Sequence, residues 1–161
     1  MSETPLISIV DDDELARDGM RELVESLGYA AATFTSAEHF LQSAVIAQVT
    51  CLITDLQMPG QSGLELQEAL RSRGYQMPVI LVTAYPNDKH RARALNNGAV
   101  GFLSKPFDEN WLVECLTDAI KLHHKSGRFQ RGTGHRSKAD ISTVTAHLRV
   151  YNSLIICYAI R

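Results

Sequence analysis

Five short apolar runs recur along the first 124 residues, and each is followed by a segment with helical spacing. Leu6–Val10, Ala30–Phe34, Thr50–Thr54, Val79–Val82 and Val100–Leu103 read as strands. Helices are predicted over 14–27, from Thr35 to about Ala47, over Gly63–Arg73, over 87–97, and from Phe107 or Asp108 to about His124. Thr35 stands three residues before Glu38, a capping-box pattern, and Gly28 and Gly74 follow their helices as stop signals. Strands alternating with helices predict an α/β fold with a parallel sheet. Runs without polar alternation suit strands covered on both faces. Right-handed crossovers leave few topologies, and the doubly wound five-stranded order 2-1-3-4-5, as in flavodoxin-like folds, suits five such units.

The residues after the strands carry the chemistry. The first strand runs into Asp11-Asp12-Asp13, the third ends at Asp55, the fourth at Thr83-Ala84, and the fifth at Ser104-Lys105-Pro106. In a parallel sheet these ends share one edge, where doubly wound folds bind their ligands. Carboxylates about 4 Å apart repel by roughly 4 kcal/mol at an effective dielectric near 20. Such a cluster raises a pKa or binds a cation. Oxygen donors without His or Cys suit a hard ion, Mg²⁺ first. Three aspartates after a strand also suit a plain turn and helix cap, but Asp55 and Lys105 at neighbouring strand ends weigh toward the cation. A metal, the Lys105 ammonium and the Thr83 hydroxyl around one carboxylate make a place for a transferring phosphoryl group. Asp55 would then be the nucleophile and carry an acyl phosphate.

Over residues 4–124 the chain resembles the receiver domain of two-component response regulators, the CheY-like fold. The resemblance rests on Ile9-Val10-Asp11-Asp12-Asp13, on Thr54-Asp55-Leu56-Gln57-Met58-Pro59 with Gly63, on Leu81-Val82-Thr83-Ala84, and on Phe102-Leu103-Ser104-Lys105-Pro106-Phe107. It implies that Asp11 and Asp12 form the acidic pair, with Asp12 a direct Mg²⁺ ligand. Asp55 would be the phosphoacceptor and a further ligand, and Gln57 would lend its backbone carbonyl to the metal. It implies that Thr83 and Lys105 bind phosphoryl oxygens, that Phe102 is the switch aromatic, and that the Lys105–Pro106 bond is cis. Asp13 stays outside the pair and suits the N-terminus of the first helix. Gln57 and Tyr85 would flank the phosphoryl group and set its lifetime. The implied partner is a sensor histidine kinase. Phosphorylation would favour a homodimer through the face of the fifth strand and the fourth and fifth helices, to which Arg91, Arg93 and Lys121 would contribute.

Other classes fit less well. An aspartate-nucleophile phosphohydrolase commonly needs an acid two residues after the nucleophile, where this chain has Gln57. A flavin carrier needs a phosphate cradle after the first strand, where three aspartates would repel the ligand. The protein is therefore expected to be a phosphoacceptor that assists its own phosphorylation and dephosphorylation, not an enzyme in the ordinary sense.

Charge divides the chain. Residues 1–124 hold 9 Lys/Arg and 17 Asp/Glu, a net of −8, and residues 125–161 hold 7 Lys/Arg and one acid, a net of +6. The second part reads as a basic linker or tail, too short for a full helix-turn-helix output domain. The receiver resembles those of LuxR/FixJ-type regulators, so control of transcription is expected, with the output domain truncated or lost and DNA contacted only if one is present. The rival reading is a stand-alone receiver or phosphorelay intermediate acting by protein contact. The longest apolar run, seven residues from Leu154 to Ile160, falls far short of the ~20 that span a bilayer. The N-terminus has no secretory leader pattern. Three cysteines without paired or metal-type spacing suit a reducing compartment, so a cytoplasmic location away from membranes is expected.

Overall fold

The computed structural model describes residues 3–129, and the basic tail from residue 130 onward lies outside them. Each expected strand forms: β1 (Leu6–Val10), β2 (Ala30–Phe34), β3 (Cys51–Asp55), β4 (Val79–Thr83) and β5 (Gly101–Ser104). Between and after them run α1 (Glu14–Ser26), α2 (Ala37–Leu41), α3 (Gly63–Ser72), α4 (Asp88–Asn96) and α5 (Glu109–Phe129). The charge boundary at residue 125 falls inside α5. All four strand pairings are parallel and the order is β2-β1-β3-β4-β5, the predicted doubly wound sheet.

Successive side chains of a strand point to opposite faces, and the core divides accordingly. Ile7, Ile9, Cys51, Ile53, Ile80, Val82 and Leu103 pack with Val24 of α1 and with Leu112, Cys115, Leu116 and Ala119 of α5. Val10, Leu52, Val79, Leu81 and Phe102 pack on the other side with Phe40 of α2, Leu64, Leu66 and Leu70 of α3, and Ala94 of α4. The α5 positions follow i, i+3, i+4, i+7, the spacing of one buried helical stripe.

The second helix departs from expectation. Ser36, not Thr35, is its N-cap and accepts from the His39 N–H at 3.1 Å. With the cap one residue later, Glu38 is no longer at the third helical position, and no capping box forms. The helix stops at Leu41 instead of continuing to Ala47, and a short 3₁₀ turn follows at Ile46–Gln48. Burial of Ile46 and Val49 against the sheet takes precedence over helical spacing there.

Candidate functional site

The parallel register brings four strand ends to one edge, as the spacing predicts. Asp11 leaves β1 with its N–H donated to the Phe34 carbonyl (3.2 Å). Its side chain is nearly buried and occupied on both oxygens. Oδ1 accepts from the Asp13 N–H at 2.9 Å, and Oδ2 accepts from Lys105 Nζ at 3.1 Å. Asp12, the next residue, is exposed. Asp13 caps α1 by accepting from the Ala16 N–H at 2.8 Å. Arg17 closes this turn by donating to the Asp11 carbonyl at 2.9 Å.

Asp11, Asp12 and Asp55 each present a carboxylate oxygen within 4.8 Å of the others. Lys105 Nζ lies 3.7 Å from Asp55 Oδ1, so one ammonium bridges two of the three acids. The carboxyl of Asp55 is pushed up to about 6. Burial at the strand end is the main cause; Lys105 pulls the other way, and Asp11 and Asp12 push it up further. A second cation beside Asp55 would relieve the cost that remains. Three carboxylates with no nitrogen or sulfur donor fit a hard divalent ion such as Mg²⁺.

The other predicted residues lie on β4, β5 and α4 and in the loop after β3. The Lys105 N–H donates to the Thr83 carbonyl at 2.7 Å, tying the ends of β4 and β5 together. The Lys105–Pro106 peptide is cis, as the resemblance implies. Thr83 is fully buried, and its Oγ1 accepts from the Tyr85 N–H at 3.1 Å. Phe102 lies opposite Leu81 in the register, on the face that Thr83 shares. Its ring is buried, with the Arg91 guanidinium 5.5 Å from the centroid. Gln57 is exposed at the start of the β3–α3 loop. Arg93 is turned toward α3, where it forms a two-point ion pair with Glu68 (Nε–Oε1 and Nη2–Oε2, both 2.8 Å). Arg93 lies on α4, and this pair ties that helix to α3.

Gly63 has a role that its sequence motif does not reveal. Its N–H donates to the Leu56 carbonyl at 3.0 Å and closes the loop that follows Asp55. A Cβ there would collide with the Asp55 carbonyl oxygen and lie 2.9 Å from Leu81 Cδ2. Only a residue without a side chain lets α3 start this close to the end of β3.

An acid cluster bridged by a lysine, at the carboxyl edge of a 2-1-3-4-5 parallel sheet, defines a CheY-like receiver. Comparison with known proteins agrees. Residues 7–117 match the family model of the response regulator receiver domain, and the chain belongs to that family. It is 36% identical over 128 residues to the transcriptional regulatory protein FixJ of Azorhizobium caulinodans, covering 80% of this chain and 61% of that one. It is 36% identical over 117 residues to the response regulator protein TodT of Pseudomonas putida strain F1, covering 73% of this chain and 52% of the relative. Among solved structures, the response regulator StyR superposes with a TM-score of 0.75 at 35% identity, covering 80% of this chain and 65% of that chain. FixJ-N superposes at 0.67 with 32% identity, covering 74% of this chain and 96% of its own. The chain spans about half to three-fifths of the length of the curated relatives it matches. Receivers of this family are phosphoacceptor signalling domains of two-component systems that interact with histidine kinases and bind Mg²⁺ in an acidic pocket. Among the described residues no helix is long and apolar enough to cross a membrane.

Proposed function

We propose that Asp55 accepts a phosphoryl group from a sensor histidine kinase and that Thr83 and Phe102 convey its presence to α4 and β5. The observation that carries this reading is the Lys105 ammonium, held 3.1 Å from Asp11 and 3.7 Å from Asp55 in a cluster of three carboxylates. With its carboxyl titrating at about 6, Asp55 is mainly the nucleophilic carboxylate at neutral pH. One of its oxygens attacks phosphorus, the P–N bond to the donor histidine breaks, and an acyl phosphate forms. Lys105, 3.7 Å from Asp55 Oδ1, would neutralise a phosphoryl oxygen. Asp11, Asp12, Asp55 and the backbone carbonyl of Gln57 would hold Mg²⁺, which supplies charge neutralisation for the transfer.

The readout begins at Thr83. Its hydroxyl oxygen receives the Tyr85 N–H, and turning toward a phosphoryl oxygen would exchange that bond for a charge-assisted one. The side chain shares its sheet face with Phe102, which Arg91 of α4 covers. Movement of Thr83 therefore reaches α4 and β5, part of the β5, α4 and α5 face proposed as the homodimer interface on phosphorylation. The relatives FixJ and TdiR bear the name transcriptional regulatory protein, which supports control of transcription as the output of a cytoplasmic regulator.

Acetyl phosphate with Mg²⁺ tests the chemistry. The expected result is a phosphoryl mass increment on the wild type and none on Asp55→Asn. An increment that persists in Asp55→Asn overturns the assignment, and a reaction indifferent to Mg²⁺ overturns the metal set.

A further inference from the structure

The loop between Leu56 and Gly63 joins the proposed phosphoacceptor to α3, and the N–H groups of its last three residues, Gln61 to Gly63, each find an acceptor. The Gly63 N–H closes its base on the Leu56 carbonyl at 3.0 Å. The Ser62 N–H is held by Glu65 Oε2 at 2.7 Å, within the capping box that starts α3. Both bonds come from residues of the loop and its own helix. The Gln61 N–H behaves differently: it donates at 3.0 Å to Oε1 of Glu38, 23 residues earlier on α2. The same oxygen lies 2.9 Å from the point where a Cβ on Gly60 would stand, and Gly60 has φ +78°. The loop tip is thus shaped to admit this carboxylate against its backbone. Glu38 titrates below the ordinary carboxylate range, chiefly through its own N–H and that of Gln61, with the Ser36 hydroxyl adding to them.

We propose that Glu38 is a positioning residue for the phosphoryl-transfer site. Its carboxylate pins the β3–α3 loop through the Gln61 N–H and so holds Gln57, at the start of that loop, in place for Mg²⁺ binding beside Asp55. This inference rests on the proposed function. Glu38 touches neither the metal donors nor the phosphoryl position. It acts by restricting a loop whose free motion would otherwise have to be lost when the ion binds. A charge-assisted bond to a backbone N–H suits this task, because it constrains position without a packed side chain.

The test uses the full chain as wild type, Glu38→Ala, Glu38→Gln and Asp55→Asn. Backbone amide exchange is first measured without metal. Glu38→Ala is expected to speed exchange at Gly60 and Gln61 by about three- to tenfold, the range expected for one lost hydrogen bond, while β3 and β4 keep their protection. Binding of Mg²⁺ alone, followed by calorimetry, is expected to weaken by a similar factor. Phosphorylation from acetyl phosphate at saturating Mg²⁺ is expected to stay near the wild-type rate. Glu38→Gln, whose amide oxygen can still accept from Gln61, is expected to recover most of the loss. Wild-type exchange and wild-type Mg²⁺ affinity in Glu38→Ala would overturn the positioning role alone. A wild type that binds no Mg²⁺, or an Asp55→Asn that is still phosphorylated, would instead overturn the proposed function beneath it. A uniform rise in exchange across the sheet in Glu38→Ala would mark a general stability effect and also overturn the inference.

Discussion

The helices α4 and α5 both flank the edge strand β5, on opposite faces of the sheet, yet they are attached by different physics. Leu112, Cys115, Leu116 and Ala119 bury one stripe of α5 in the apolar core. In α4 only Ala94 is buried, and the other attachments are polar. Gln67 of α3 donates Nε2 to the Ala94 carbonyl at 3.1 Å, while its Oε1 is buried without a hydrogen-bond partner. Glu68 binds Arg93 at two points and accepts from Asn97 Nδ2 at 3.1 Å. Arg91 lies over Phe102. Burial of apolar surface is non-directional and is lost only by exposing that surface. The exposed Glu68–Arg93 pair is a weak attachment that can be exchanged for water. The α5 side thus serves as a frame, and the α4 side, which holds the proposed switch residues, is the part built to shift.

The largest effect should come from the frame. Leu116→Ala is expected to cost about 3 kcal/mol of stability through lost burial and a cavity, measured by urea unfolding. A loss as small as that of an exposed substitution would break the contrast. The acidic edge should respond with the opposite sign. Asp55 has its carboxyl raised from 3.8 to about 6, so the folded state holds that proton more tightly than the unfolded chain does. Its stabilising contribution is complete below about 3.8 and is lost as pH rises through about 6. Without metal, Asp55→Asn is therefore expected to be more stable than wild type by about 1–2 kcal/mol at pH 8, and to have no advantage at pH 4. Thermal unfolding across that range, with and without Mg²⁺, checks both the sign and its removal by the ion.

Glu68→Ala should change global stability by less than about 1 kcal/mol, because its partners are at the surface. It should nevertheless raise amide exchange throughout α4 while leaving α5 at its wild-type level. Equal acceleration in both helices would refute the division of labour. Smallest of all, Arg91→Ala is expected to cost about 0.5 kcal/mol, the scale of an exposed cation–π contact. Its clearer signature is a change in the Phe102 ring resonances, and an unchanged ring environment would show that Arg91 does not cover it.

These contrasts also explain which features could be read in the sequence. The strands were legible because a sheet covered on both faces demands unbroken apolar runs, and β4, Val79–Thr83, is buried throughout. The α5 stripe was legible because its partners follow helical spacing. The acid cluster was legible because a parallel sheet gathers all strand ends at one edge, so Asp11, Asp55 and Lys105 meet although 44 and 50 residues separate them in turn. Less could be read where one long-range contact overrides a local signal. Thr35 and Glu38 have capping-box spacing, but Ser36 takes the cap and Glu38 turns to Gln61. Arg93 sits on α4 with no local sign that its partner is Glu68, 25 residues earlier. The need for glycine at 63 depends on how closely α3 approaches the Asp55 carbonyl, a distance that no spacing rule encodes.

The strand order has one more consequence. It leaves β5 at the margin of the sheet, and β5 has only four residues. A margin this short offers little unpaired backbone for another chain to extend as a further strand. A protein that docks there must recognise side chains, so specificity on this surface can be altered by substitution without disturbing the sheet beneath it.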